Sequence, residues 1–100
     1  MDIRSSSTPE GRTYHLAGRF DAHQVPQFKA ALKDQAGSRL ELDFSDVSFI
    51  DSTGLATLVS LFKTTSSAGG ELRITGVQDQ VFVIFEITRL HTVLPLERVP

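Results

Sequence analysis

The sequence predicts an α/β domain, a mixed β-sheet with helices packed on it, in the order β-β-α-β-α-β-α-β. Three observations predict it. Leu40, Leu42 and Phe44 alternate with Glu41 and Asp43, the period-2 pattern of a strand half buried on a core. Leu55, Leu58, Val59 and Phe62 fall at i, i+3, i+4 and i+7, one face of an amphipathic helix. Helical and strand patterns then alternate along the chain, which implies crossovers and a layered α/β architecture.

Each element has its own local cause. A weak strand over Asp2 to Ser6 precedes the turn cluster Ser7-Thr8-Pro9-Glu10-Gly11. Thr13 to Gly18 is a second strand, with Tyr14 and Leu16 on one face and His15 and Ala17 on the other. Val25, Phe28, Ala31 and Leu32 give helical spacing, Pro26 suits the first turn, and Gly37 is the expected stop. The strand over Leu40 to Phe44 follows. Asp51 or Ser52 can cap the helix that starts there, and Gly69-Gly70 supplies the left-handed residue that ends it.

Glu71 to Thr75 is a short strand carrying Leu72 and Ile74. Val81 to Ile87 mixes β-branched and aromatic residues with a helical face (Val81, Ile84, Phe85). The polar Gln78-Asp79-Gln80 before it favours helix. A last strand is expected at Val93 to Leu96, at an edge because of Pro95, with a frayed tail from Glu97 to Pro100. The expected core is Leu16, Phe28, Leu42, Phe44, Leu55, Val59, Phe62, Leu72, Ile74 and Ile84.

One hundred residues are expected to form one domain, residues 1–100. A formal charge of −2 gives no electrostatic reason to expect direct nucleic-acid binding. With no cysteine there is no disulfide framework or thiolate metal site, and His15, His23 and His91 lack ligand-like clustering. No metal and no cofactor are expected. Residues 1–7 contain no apolar signal core, and nowhere do eighteen apolar residues run together, so no secretory signal and no membrane insertion are expected. Oligomeric state is not legible.

The stretch from Leu42 to Leu55, Leu-Asp-Phe-Ser-Asp-Val-Ser-Phe-Ile-Asp-Ser-Thr-Gly-Leu, strongly resembles the signature of STAS domains. That family includes bacterial anti-sigma-factor antagonists and cytoplasmic domains of sulphate transporters. Gly18-Arg19-Phe20-Asp21 is similar to the family's turn before its first helix, and Gly69-Gly70 to its glycine pair. Phe85 to Leu90 is similar to the end of its third helix. The resemblance covers about residues 12–96. Two departures stand out: Arg19 replaces the usual acid of the turn, and Arg89 replaces the usual glycine.

The resemblance implies a cytoplasmic anti-sigma-factor antagonist. Its partner is an anti-sigma factor with serine kinase activity, which phosphorylates Ser52 (Thr53 as the lesser choice) and so ends capture. Asp21 matches the loop acid near the switch. The partner surface is expected to include Asp21, Asp51, Ser52 and Thr53 and to reach Leu61 along the second helix. The alternative within the family is a binding module of a transport ATPase or a stress-signalling scaffold, not phosphoregulated at Ser52.

Physical chemistry fits a switch at Ser52. A serine at a helix N-terminus is exposed, and its phosphate adds about −1.5 to −2 charges that the free amides and the positive helix pole tolerate. The bland role is an N-cap. No catalytic residue is assigned. Asp51-Ser52-Thr53-Gly54 superficially resembles the motif of small aspartic proteases, but its glycine comes one residue too late and a helix follows. No nucleophile elbow or phosphate loop is present.

Overall fold

The computed structural model describes residues 1–33, 35 and 37–99. Strands are β1 (Asp2–Thr8), β2 (Gly11–Phe20), β3 (Arg39–Ile50), β4 (Glu71–Val77) and β5 (Leu96–Arg98). Helices are α1 (Val25–Ala31), α2 (Ser52–Ser67) and α3 (Asp79–Ile87), with a short 3-10 turn at Leu90–Thr92. The strands lie side by side in chain order, β1-β2-β3-β4-β5. β1 and β2 form an antiparallel hairpin, and every later neighbour pairs in parallel. The mixed sheet and its element order are therefore those the sequence predicts.

Each crossover steps one strand in the same direction. Right-handed crossovers then place all three helices on one face of the sheet. Burial follows that rule: Tyr14 and Leu16, Leu40, Leu42 and Phe44, and Leu72 and Ile74 are buried, while the residues between them stay half-buried or exposed. Phe20, Phe28 and Phe44 form the aromatic centre, with ring centroids 4.8 Å (Phe20–Phe28, edge to face) and 5.7 Å (Phe20–Phe44) apart.

The helix-bearing side departs from expectation. Val59, Phe62 and Ile84 are only partly buried, and Leu58, Val81 and Phe85 take the central positions, together with the buried Thr57 and Thr65. The reason is that Gly54, in the first turn, begins α2's buried face. It carries no side chain to mark that face, and two threonines share it. Thr65 Oγ1 is buried with no hydrogen-bond partner among the described residues.

Element boundaries also move: β1 runs on to Thr8, β2 spans Gly11 to Phe20, and β3 runs on to Ile50, so the turn cluster shrinks to Pro9 and Glu10. α1 ends at Ala31, before Gly37, so that glycine is not its stop. The last strand starts at Leu96 rather than Val93, because Leu90 to Val93 turn tightly and Leu94 is buried beneath them. Glu97 and Arg98 are in β5 and the Val99 amide donates to the Val77 carbonyl, so this segment is not a frayed tail. The expectation for Pro100 lies outside the described residues. Among the described residues no helix is long and apolar enough to cross a membrane.

The helix-free face is polar. Arg73 pairs with Glu41 and Glu97, and Arg39 pairs with Glu71. Such exposed pairs contribute little each, about 0–1 kcal/mol. His15 is more particular, because its Nδ1 lies 3.0 Å from Asp43 Oδ2 and its Nε2 lies 2.9 Å from Asp46 Oδ2. The Asp43 hydrogen bond leads in raising the imidazole above its ordinary value. For Asp43, burial pushes upward but is outweighed by hydrogen bonds from Ser45 and His15, which hold the carboxyl below the usual carboxylate range.

Two outcomes are expected. Phe28→Ala is expected to cost about 3–5 kcal/mol in urea denaturation, and Phe62→Ala clearly less, because only Phe28 is fully enclosed. Equal costs would show that the α2 face is wrongly placed. A raised His15 value in the folded state means its contribution is complete below the unfolded value near 6.5 and fades as pH rises through the folded one. The melting temperature of the wild type should therefore fall relative to His15→Gln as pH rises above that value. A pH-independent difference would exclude the linkage.

Candidate functional site

The expected site forms where the C-terminal ends of β2 and β3 meet the start of α2. Ile50 closes β3, and Asp51 takes an extended conformation as the N-cap of α2. Its two carboxylate oxygens do separate work. Oδ1 accepts from the Gly54 amide at 2.8 Å, capping the helix, and Oδ2 accepts from the Ala22 amide at 3.0 Å, in the loop between β2 and α1. The Asp51 amide in turn donates to the Phe20 carbonyl at 3.3 Å. One residue thus ties two strand ends and a helix start together.

Gly54 makes this approach possible. A Cβ there would lie 2.5 Å from both the ring and the carbonyl oxygen of Phe20, and 2.9 Å from Ile50. Any side chain would force the first turn of α2 away from the sheet.

Asp21 organises the neighbouring loop. Its Oδ1 accepts from the amides of His23 (3.1 Å) and Gln24 (3.3 Å), and its carbonyl accepts from Gln24 and Val25. Arg19 Nε donates to its Oδ2 at 3.2 Å. Desolvation raises the Asp21 carboxyl, but the Arg19 hydrogen bond and the two amides outweigh it and hold the group below the usual carboxylate range. The Arg19 guanidinium also lies over the Phe49 ring, 3.9 Å from its centroid, leaving Phe49 38% exposed.

With Asp51 as the cap, the capping role open to Ser52 in the sequence is already filled. Ser52 and Thr53 are exposed in the first turn of α2, at the helix pole where backbone amides are in excess. The structure brings Asp21, Asp51, Ser52 and Thr53 to one end of the molecule. Leu61 lies nine residues further along α2, about 13 Å by helical rise. It is half-buried in a groove between α1 and α2, lined also by Phe28, Leu32 and Thr57.

Three participants were not legible as such: the Ala22 amide, the Phe49 ring and the close-approach role of Gly54. Only Gly54 left a signal, a glycine in the first turn of an otherwise apolar helix.

A helix start tied to a neighbouring loop, with exposed hydroxyls in its first turn, marks one corner of an α/β domain. The family model for the STAS domain matches residues 3–99, and the chain belongs to that family. It is 37% identical over 87 residues to the anti-sigma-B factor antagonist of Listeria monocytogenes, covering 84% of this chain and 76% of that protein. It is 31% identical to that of Bacillus subtilis, covering 82% and 77%. Its fold matches the anti-sigma factor antagonist SpoIIAA of Bacillus. In the unphosphorylated form the TM-score is 0.81 at 16% identity, covering 99% of this chain and 89% of that one. In the phosphorylated form it is 0.75 at 18% identity, covering 99% and 92%.

Asp51→Ala is expected to destabilise the fold by about 1–2 kcal/mol, because a cap and an interloop hydrogen bond go together. Ser52→Ala should stay within about 0.5 kcal/mol. Chemical denaturation of the two variants checks this, and a reversed order would return the cap to Ser52.

Proposed function

We propose that this chain acts as a single STAS domain over residues 1–100, an anti-sigma-factor antagonist working in the cytoplasm and inactivated by phosphorylation at Ser52. Its partner is an anti-sigma factor with serine kinase activity, and the chain supplies no catalytic group of its own. The observation that carries the reading is the division of labour at the start of α2. Asp51 caps the helix, so Ser52 keeps an exposed hydroxyl that the fold does not use.

Several facts support it. Relatives at 37% and 31% identity are named anti-sigma-B factor antagonists. The same fold is known in a protein in both unphosphorylated and phosphorylated forms. A phosphate on Ser52 would meet the amides at the helix pole without disturbing the Asp51 hydrogen bonds, so the fold survives modification. The partner, by contrast, would meet a dianion beside the carboxylates of Asp21 and Asp51. Desolvating that charge on binding is costly.

The contact surface then comprises Asp21, Asp51, Ser52 and Thr53, reaches Leu61 along the α1–α2 groove, and includes the exposed Phe49 held beneath Arg19. An aromatic ring and an arginine at the rim are residue types enriched in protein interfaces.

Incubation with ATP and the anti-sigma kinase of the same regulatory system, followed by mass spectrometry, tests the switch. Phosphate is expected on Ser52 and absent from Ser52→Ala, whose capture of the partner stays intact. Ser52→Asp should bind more weakly than Ser52→Ala but less weakly than the phosphorylated protein, because one carboxylate carries less charge. A loss of about 3 kcal/mol on phosphorylation corresponds to more than a hundredfold in affinity. Label on Thr53 would move the acceptor by one residue. An unlabelled chain that binds a transport subunit tightly would replace the reading with the other family role.

A further inference from the structure

β3 does not pair evenly with β2. His15 pairs with Asp43 and Ala17 with Asp46, so three steps along β3 match two along β2, and β3 bulges between the two aspartates. The inward positions show the same shift, since the buried residues run Leu42, Phe44 and then Val47. Beyond the bulge β3 leaves β4, whose pairing with it ends at Asp43 and Thr75. The distal half, Asp46 to Ile50, is thus paired with a strand on its β2 side only, and it leads directly into Asp51, the cap of α2.

His15 closes over this bulge. Its Nδ1 lies 3.0 Å from Asp43 Oδ2 on one flank, and its Nε2 lies 2.9 Å from Asp46 Oδ2 on the other. An ionised carboxylate only accepts, so both contacts are hydrogen bonds at once only when both ring nitrogens carry protons. The geometry is that of the imidazolium cation. A neutral ring has one N–H and must turn a lone pair toward one of the carboxylates.

The two flanks are not equally held. Asp43 Oδ1 also accepts from the Ser45 amide at 2.9 Å, and the Asp43 side chain is 32% exposed. Asp46 is 65% exposed, and its side chain has no second hydrogen bond among the described residues. A neutral ring therefore keeps its proton on Nδ1, toward Asp43, and lets Asp46 go. Other charges face the ring from both sides. Arg4 of β1 stands opposite His15 across the hairpin and is itself paired with Asp2 at 3.4 Å. Glu41, next on the same face of β3, is paired with Arg73 of β4. Asp43 and Asp46 remain the groups that bind the ring, and they raise its affinity for a proton, the Asp43 hydrogen bond leading.

We propose that His15 is a proton-operated clasp across the β3 bulge: the cation ties both flanks, and the neutral ring releases Asp46, loosening the distal half of β3 and the α2 start that it carries. The clasp is shut below the histidine's titration and opens as pH rises through it. It sets how firmly Asp51 and Ser52 are presented. It does not depend on phosphorylation of Ser52, and its test uses the free chain, so either reading can fail without the other.

Nuclear magnetic resonance on the full chain tests it. The His15 ring should titrate above the ordinary histidine value of about 6.5, and its neutral form should carry the proton on Nδ1. Amide shifts from Asp46 to Asp51 should move with the same midpoint. Exchange protection of the Asp51 amide, corrected for intrinsic exchange, should fall about threefold across it. His15→Gln should abolish both changes. In Asp46→Asn the side-chain amide can accept from the cation or donate to the neutral ring, so His15 still titrates while Asp51 protection stays level. His23, in the loop that Asp51 holds through Ala22, is present in both variants and supplies the background. A neutral ring protonated on Nε2 overturns the proposal. So do amide shifts that ignore the His15 midpoint, or an Asp51 protection whose pH dependence is unchanged in either variant.

Discussion

The carboxylate of Asp51 is the junction on which the functional end of this fold depends. One oxygen holds the Gly54 amide and the other the Ala22 amide, while the residue's own amide reaches the Phe20 carbonyl. Each bond satisfies a backbone group that the geometry would otherwise leave without a partner: a helix start, a loop and a strand end. Gly54 is the steric counterpart, since the same approach that lets Asp51 reach both sides leaves no room for a Cβ against Phe20. A substitution at either position would disturb both loops at once, whereas Ser52 and Thr53, immediately between them in sequence, carry none of this load.

That separation matters for regulation. A modification site serves as a switch when the fold is indifferent to it and a partner is not. At the start of α2 the structural work is done by a residue facing inward to its neighbours, and the adjacent hydroxyls face solvent. Arg19 adds to the arrangement by engaging Asp21 on one side and Phe49 on the other. Arg19 puts a guanidinium at the rim of the proposed contact surface, which makes that rim less acidic. Rim charges govern partner choice and encounter rate more than they govern tightness.

Much of this was legible in the sequence, for reasons that can be named. The alternation Leu40-Glu41-Leu42-Asp43-Phe44 reads as a one-sided strand, and helical and strand patterns alternating along the chain carried the element order. The block from Asp51 to Gly54 pointed to a strand-to-helix corner because a capping acid, a hydroxyl pair and a glycine cluster there, and the structure has that corner. What was not legible came from positions whose side chains do not advertise their surroundings. Gly54, Thr57 and Thr65 lie on the buried face of α2, and none is hydrophobic enough to mark it, so Val59 and Phe62 stood in for them. Ser52 and Asp51 are both good caps, and only the backbone geometry chooses between them. The last strand was expected but placed three residues early, because three residues give too short a pattern to separate from a tail, and its pairing with β4 is a tertiary fact.

The two arginines Arg19 and Arg89 differ in physical kind. Arg19 sits in a conformation open to any residue and gains two contacts, to Asp21 and to Phe49, so its presence is accounted for within the chain. Arg89 occupies a left-handed position that glycine takes without strain, and it gains no ion pair among the described residues. Its local free energy is therefore worse than that of the residue it replaces. The two arginines therefore act in opposite directions, one adding contacts within the chain and the other adding backbone strain.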